Sequence, residues 1–161
     1  ALADPERGLG GRGVEAALVG ATATEEAVRA ALARRTGDIW QVPPMISAIK
    51  RAGQPLYKLA RRGQVVEREP RLIHIYEFSL LEFALPRVRF RLRCTKGTYV
   101  RTLCADVGRE LGCGAFLEEL TRTHSGELAL EDAAPLEQIL SGDRAALEAR
   151  LRRLETFAPL P

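Results

Sequence analysis

Apolar and polar residues alternate without a break between Arg87 and Cys94, and this pattern predicts a β-strand with one buried face. Successive side chains of a strand point to opposite faces. The apolar face consists of Val88, Phe90, Leu92 and Cys94, and the other face consists of Arg87, Arg89, Arg91 and Arg93. Four like charges on one face need negative partners. We favour acids of the chain itself, such as Glu77 and Glu82, over nucleic-acid phosphates.

Further strands and helices are predicted around that strand. Residues 72–83 have the aromatic and β-branched content of a strand, or of two strands joined by a bulge. Thr24, followed by two glutamates, is typical of a helix N-cap, and this helix should end near Gly37. A short helix is expected from Leu56 to Arg62. Because the elements do not alternate regularly, the predicted fold class is α+β, with a mixed, mainly antiparallel sheet and flanking helices.

A helix is predicted with Thr98 as its N-cap and Gly97 in the loop before it. The residues that follow form an apolar stripe at helical spacing, made of Val100, Leu103, Cys104, Val107 and Leu111. Arg101 falls in the first turn, where the helix dipole is positive and disfavours a cation. We therefore expect Arg101 to face a cleft and to bind an anion, either a carboxylate or a nucleic-acid phosphate.

A second basic region runs from Lys50 to Arg62 and contains Tyr57 and Arg61. Two prolines precede this region, and because proline restricts its predecessor to extended geometry, residues 41–47 should form an ordered, non-helical arm. Basic side chains around an aromatic ring suit a phosphate backbone with an additional aromatic contact. A solvated charged face explains the same composition equally well.

Composition narrows the class of protein only slightly. The net charge of +3 fits a polyanionic partner but also many other proteins, and 46% hydrophobic residues in 161 allow one domain with a core. The three cysteines lack the paired spacing of a zinc site and are interpreted as small core residues. Since no stretch is apolar enough to span a membrane and no signal pattern begins the chain, we expect a cytoplasmic protein without a metal site.

Several motifs occur in a fixed order between Gly37 and Gly126. They are residues 41–50 (Gln-Val-Pro-Pro-Met-Ile-Ser-Ala-Ile-Lys), 56–57, 60–63 (Ala-Arg-Arg-Gly), 96–102 (Lys-Gly-Thr-Tyr-Val-Arg-Thr), 106–108, 111–115 (Leu-Gly-Cys-Gly-Ala) and 120–126 (Leu-Thr-Arg-Thr-His-Ser-Gly). Together they resemble the TruB family of bacterial tRNA pseudouridine synthases. The resemblance implies a pseudouridine-synthase-like fold, present only in part.

The resemblance also implies an activity, which is the isomerisation of a T-loop uridine in tRNA to pseudouridine. The uridine is flipped out, its glycosidic bond to N1 is broken, and the uracil is rejoined to the ribose through C5, without a metal or cofactor. In the family, the arginine that matches Arg101 pairs with a catalytic aspartate. By the same resemblance Tyr99 lines the uracil pocket and Leu120 packs near the base. As ordinary structural residues, the two would be a helix-end aromatic and a core leucine.

RNA contacts are expected from the basic segments. The candidates are Lys50, Tyr57, Arg61 and Lys96. The expected partner is the T-arm stem-loop of a tRNA, bound by a monomer.

The sequence departs from the family pattern at the aspartate. The family motif Gly-x-Leu-Asp-Pro-x-Ala-x-Gly does not occur, and Asp4-Pro5 lacks the flanking glycine and leucine. We therefore expect residues 1–23 to be a variable or irregular segment that follows the catalytic motif. Residues 24–161 would be a catalytic-domain portion without the C-terminal RNA-binding domain. Such a chain should be inactive alone. The alternatives are a non-catalytic RNA-binding or RNA-folding module, and a globular domain whose arginines pair with its own acids.

Overall fold

The arginine-bearing strand lies at the centre of a five-stranded sheet. The computed structural model describes residues 14–19, 23–51 and 53–151. Its strands are β1 (Val14–Val19), β2 (Gly37–Gln41), β3 (Lys50–Arg51), β4 (Gln54–Pro55), β5 (Arg71–Ala84), β6 (Arg87–Cys94), β7 (Leu117–Arg122), β8 (His124–Ser125) and β9 (Leu128–Ala129). Its α-helices are α1 (Glu25–Ala33), α2 (Leu56–Arg61), α3 (Val100–Glu110), α4 (Leu136–Ser141) and α5 (Arg144–Arg150).

The main sheet has the strand order β2-β5-β6-β1-β7, and each neighbouring pair is antiparallel. Two short hairpins, β3-β4 and β8-β9, stand apart from it. The α+β prediction is confirmed. Strands β5 and β6 are joined by a tight hairpin. Strands β6 and β7 are joined through α3, and β1 lies between them and runs antiparallel to both.

Strand β6 follows its sequence pattern at every position. Its four apolar side chains are buried and its four arginines are exposed. Phe90 is 0% exposed and packs edge-on against Phe78 of β5, with the ring centroids 5.0 Å apart. Burial of such a side chain stabilises the fold by about 2–3 kcal/mol. This face of the sheet therefore holds the core.

Helices α1 and α3 contribute the other half of the core. Val28 and Leu32 come from α1, and Leu103 and Val107 from α3; each is at most 1% exposed. Thr24 caps α1 as predicted, because its hydroxyl oxygen accepts a hydrogen bond from the backbone N–H of Ala27 at 3.2 Å. The short helix α2 also forms where it was expected.

The expectation of an irregular segment over residues 1–23 is wrong for residues 14–19. These residues form β1, which pairs with β6 on one side and β7 on the other. Apart from Glu15 these residues are valine, alanine and leucine, which suit a central strand, but the short length of the segment hides any periodicity. Asp4 and the rest of residues 1–13 lie outside the described residues, and the proposed domain boundaries stay predictions.

The part of the chain up to Leu130 is one compact unit, and the part from Glu131 onwards is a second. The second unit contains α4 and α5, and the side chain of Asp143 caps α5 by accepting a hydrogen bond from the N–H of Ala146 at 2.7 Å. Among the helices of the described ranges, none is long and apolar enough to cross a bilayer.

Candidate active site at the start of helix α3

Helix α3 begins one residue later than the sequence predicted. Its N-cap is Tyr99, which makes no side-chain capping bond. The hydroxyl of Thr98 lies before the N-cap, where it donates to the backbone carbonyl of Thr95 at 2.9 Å and closes the preceding turn. Gly97 adopts a φ of 86°, which a turn of this kind requires and other residues disfavour. The predicted cap at Thr98 is therefore wrong, although the apolar stripe of the helix is buried as expected.

Arg101 lies in the first turn and is exposed. Its guanidinium donates a hydrogen bond to the backbone carbonyl of Ile46 at 2.8 Å. The first turn of α3 contains no acidic residue, and no carboxylate of the described residues forms an ion pair with Arg101. The geometry thus leaves part of the guanidinium available at a positive helix end, and the anion expected for it stays a prediction.

Tyr99, the residue before this helix, is hydrogen-bonded to a side chain that is distant in the sequence. The side-chain amide of Gln41 donates to the carbonyl of Tyr99 at 3.1 Å and accepts from the N–H of Tyr99 at 2.8 Å. Gln41 is the last residue of β2 and is only 4% exposed. This contact was not predicted from the sequence, where its one sign is a polar residue two positions before a pair of prolines.

The prolines begin a non-helical segment, as predicted, and we call residues 42–49 the proline arm. This arm makes hydrogen bonds to two helices, α2 and α3. Ile46 accepts the hydrogen bond from Arg101, the carbonyl of Ser47 accepts from the N–H of Tyr57 at 3.1 Å, and the carbonyl of Ile49 accepts from the N–H of Leu56 at 2.8 Å. The proline arm therefore connects the start of α3 with the start of α2.

The basic segment beyond the proline arm consists of β3, β4 and α2. Lys50 is exposed and lines a cleft of about 260 Å³ together with Arg68 and Arg71. Arg61 lies over the ring of Tyr57, with its guanidinium carbon 5.8 Å from the ring centroid. Such an arrangement offers both positive charge and an aromatic face to a bound molecule.

The remaining predicted positions lie on other elements. Lys96 is exposed on the turn before α3. Leu120 lies in β7 opposite Ala16 and is 49% exposed, so it is not an ordinary core leucine. Tyr99 is half-buried. The structure thus brings Tyr99 and Arg101 together on one helix start, and Lys50, Tyr57 and Arg61 together on one segment.

The arginine face of β6 is neutralised largely within the chain. Arg87 donates to Glu118 at 2.8 and 2.9 Å, and Arg89 donates to Glu82 at 3.4 Å. The hydrogen bonds of the first pair raise the pKa of Arg87 and lower the pKa of Glu118. The prediction that the arginines of this strand pair with acids of the chain itself is confirmed for Arg87 and Arg89. Arg93 instead lies over the ring of Tyr76, with its guanidinium carbon 4.8 Å from the centroid.

The described residues give little support to cysteine or metal chemistry. Burial raises the pKa of the Cys104 thiol to about 12, so this group stays protonated near neutral pH and cannot act as a thiolate. Cys94 is also buried, as expected of a core residue. Within the described ranges, no group of three or more histidine, cysteine or acidic side chains is arranged to hold a metal ion.

Comparisons with known proteins agree with this architecture. Residues 11–100 match a family model described as "TruB family pseudouridylate synthase (N terminal domain)", and residues 101–157 match one described as "tRNA pseudouridylate synthase B C-terminal domain". The two models meet at the start of α3, inside the first compact unit. The fold and these matches assign the chain to the pseudouridylate synthase class. Within that class, the chain belongs to the TruB family.

Curated relatives named "tRNA pseudouridine synthase B" are similar over most of the chain. One from Opitutus terrae is 52% identical over 136 residues, which cover 84% of this chain and 56% of the relative. One from Burkholderia mallei is 55% identical over 133 residues, which cover 83% of this chain and 44% of the relative. The chain thus spans about half the length of the curated relatives it matches.

Solved structures share the fold. A chain from the "Crystal Structure of a Cbf5-Nop10-Gar1 Complex" matches with a TM-score of 0.65 and 27% identity, over 80% of this chain and 35% of that chain. A chain from the "Structure of H/ACA RNP bound to a substrate RNA containing 2'-deoxyuridine" matches with a TM-score of 0.61 and 22% identity. This match covers 88% of the present chain and 37% of that chain. The second likeness is evidence of the fold alone.

Proposed function

We propose that the chain is the part of a tRNA pseudouridine synthase that supplies the arginine of the catalytic ion pair and part of the RNA-binding surface. The observation that carries the proposal is the placement of Arg101. Its guanidinium lies exposed at the positive end of α3, next to Tyr99, and its hydrogen bond to Ile46 leaves other N–H groups available. A carboxylate at this position would be kept ionised by the adjacent positive charge.

The proposed reaction is an isomerisation of a uridine in the T-loop. The N1–C1′ glycosidic bond breaks, the uracil turns, and a C5–C1′ bond forms, with the hydrogen on C5 transferred to N1, so the product has the same atoms as the substrate. An ionised aspartate would act as nucleophile or base. Tyr99 would line the uracil pocket, and Leu120, whose side chain is half exposed on β7, would contact the base.

The proposed partner is the T-arm of a tRNA, bound in the cytoplasm by a monomer. The basic segment supports this, since Lys50 and Arg61 are exposed and the ring of Tyr57 lies beside Arg61. If Lys50 and Arg61 contact phosphates, each alanine substitution should weaken binding and reduce the dependence of log Kd on log salt by about one unit. Binding titrations of a T-arm stem-loop at several salt concentrations measure this. An unchanged slope in both variants would contradict the assignment.

The role of Arg101 is tested in the full-length protein that carries this chain. Arg101→Ala should reduce kcat by roughly 100-fold or more, which is the order of loss when a charge-stabilising group is removed from an active site, while the Kd for tRNA changes little. Arg101→Lys should keep the charge but lose the planar fork, and so retain only part of the activity. The matched control is Arg144→Ala, which removes an exposed arginine of α5 paired with Glu148. A loss of affinity at unchanged kcat would identify Arg101 as a phosphate contact.

The chain by itself is proposed to be inactive. Its 161 residues contain no Gly-x-Leu-Asp-Pro motif. Incubation of the chain with a T-arm stem-loop, followed by an assay for pseudouridine, should give no turnover. Clear turnover would mean that Asp4 or another acid of this chain is the nucleophile. Binding without turnover in the full-length protein would favour a non-catalytic RNA-binding module.

A further inference from the structure

The start of helix α3 lacks a side-chain cap of its own. Tyr99 occupies the N-cap position, where serine, threonine, aspartate or asparagine is normally preferred. The nearby hydroxyl of Thr98 donates to the carbonyl of Thr95 and closes the turn before the helix. The orientation of this helix start, and with it the direction of Tyr99 and Arg101, must therefore be fixed by contacts from elsewhere in the fold.

Gln41 provides that contact. Its amide bonds both the N–H and the carbonyl of Tyr99, 58 residues away along the chain. The carbonyl of Tyr99 also accepts from the N–H groups of Thr102 and Leu103, at 3.1 and 3.2 Å, as the first intrahelical bonds. Gln41 thus holds the peptide groups on both sides of the Tyr99 Cα and joins them to the end of β2.

Burial makes this pairing costly to lose. Gln41 is only 4% exposed, so water does not readily replace its partners. A buried polar group that loses its hydrogen bond keeps the full cost of its removal from water. The Tyr99 N–H would lose its acceptor as well, since its one hydrogen bond within the described residues is the one to Gln41. The amide of Gln41 suits this position because its donor and its acceptor lie on one planar, neutral group.

A second bond holds the adjacent arginine to the same part of the chain. Arg101 donates to the carbonyl of Ile46, five residues after Gln41 in the proline arm. The end of β2 and the proline arm therefore restrain the backbone of Tyr99 and the side chain of Arg101 together. A displacement of the helix start would move both groups at once.

We propose that Gln41 is a positioning residue for the reaction, which acts through the backbone of Tyr99 and touches neither the uracil nor the catalytic carboxylate. This inference rests on the proposed function. Catalysis by placed groups is sensitive to displacements of about 1 Å, which can cost about 100-fold in rate. Gln41 would thus affect kcat through the placement of Tyr99 and Arg101, while the RNA-binding segment keeps its affinity.

The test uses Gln41→Met, which keeps the length of the side chain and removes both hydrogen bonds. In this chain, hydrogen exchange at the Tyr99 amide should accelerate about fivefold to tenfold, because the amide loses its hydrogen bond to Gln41. In the full-length protein, kcat should fall about 10- to 100-fold with KM for a T-arm stem-loop nearly unchanged. Gln41→Glu keeps an acceptor for the Tyr99 N–H, so it should retain the slow exchange and a higher kcat than the methionine variant.

Two controls separate positioning from stability. Gln138→Met makes the same change at an exposed glutamine of α4 and should alter neither measurement. Val28→Ala opens the core under α1 at a residue that is 1% exposed, and so lowers stability without removing a hydrogen bond between Gln41 and Tyr99. A kcat loss in Val28→Ala equal to that in Gln41→Met would overturn the proposal, as would an unchanged kcat in folded Gln41→Met. If Gln41→Met does not fold, Gln41→Glu carries the test, and a kcat equal to wild type with fast Tyr99 exchange overturns it.

The failure of the proposed function would look different. If the full-length wild-type protein makes no pseudouridine, the reaction assignment fails for every variant. The exchange rate of the Tyr99 amide in this chain would still report whether Gln41 holds the helix start.

Discussion

Gly108 of α3 is a position where a single methyl group should be incompatible with the fold. It lies where the helix passes the backbone of residues 112–115, and its carbonyl accepts a hydrogen bond from the N–H of Gly114 at 2.9 Å. A Cβ at this position would lie 2.1 Å from the backbone nitrogen of Ala115, 2.3 Å from the carbonyl carbon of Gly114 and 2.5 Å from the Cβ of Ala115. Two of these three atoms belong to backbone and cannot turn away as a side chain does.

Two effects of Gly108→Ala oppose each other. Helix propensity favours alanine over glycine by about 1 kcal/mol in a helix interior. Overpacking of a tight contact costs about 1–3 kcal/mol, and more where the backbone must move. Because all three contacts are far below van der Waals distance, the second effect dominates. We expect a net loss of about 2 kcal/mol or more in the free energy of unfolding.

The assay is denaturant unfolding of the chain, followed by circular dichroism. The control is Gly112→Ala, where φ is +72° and no atom lies within 4 Å of the added Cβ, so only the backbone conformation resists the change. That variant should lose about 1 kcal/mol. A Gly108→Ala chain as stable as wild type, or more stable, would refute the reasoning, because propensity would then outweigh the contact.

Two further predictions concern stability. Hydrogen bonds from Arg35 and Arg34 hold the pKa of Glu110 below its usual value of 4.5, so the stabilisation is present above that pH and is lost as the pH falls through the lowered pKa. Glu110→Gln should therefore cost about 0.5–1 kcal/mol at pH 7 and nothing once the carboxyl is protonated, as measured by unfolding at several pH values. Phe90→Ala should cost about 3–5 kcal/mol in the same assay, whereas a loss under 1 kcal/mol would contradict its central place in the core.

Local sequence patterns predicted two kinds of feature. In one, the interacting residues lie close together in the sequence, and in the other, the identity of the exact partner does not matter. The alternation in β6 was enough to assign its buried and exposed faces, since a strand with one buried face has only one compatible orientation. The cap of α1 was predictable because Thr24 and its bonded N–H at Ala27 are three residues apart. Such signals need no knowledge of the rest of the chain.

Features that depend on distant contacts were not predictable. The hydroxyl of Thr98 could cap a helix or close a turn, and only the structure shows that it closes the turn. The acid that pairs with Arg87 is Glu118, 31 residues away on a strand that is not adjacent in the sheet. The partner of Gln41 is 58 residues away. In each case the residue type was compatible with several partners, and tertiary packing selected one.

The proline arm gives a physical reason why binding and chemistry should be linked in this fold. Its carbonyl groups hold the start of α2 through Tyr57 and the side chain of Arg101 at the start of α3. Both contacts use backbone atoms, so they persist when arm side chains change but shift when the arm backbone moves. Changes to the arm backbone should therefore alter RNA affinity and turnover together. Changes at Gln41 should alter turnover alone, because within the described residues the hydrogen bonds of its side chain go to Tyr99, on the α3 side of this connection.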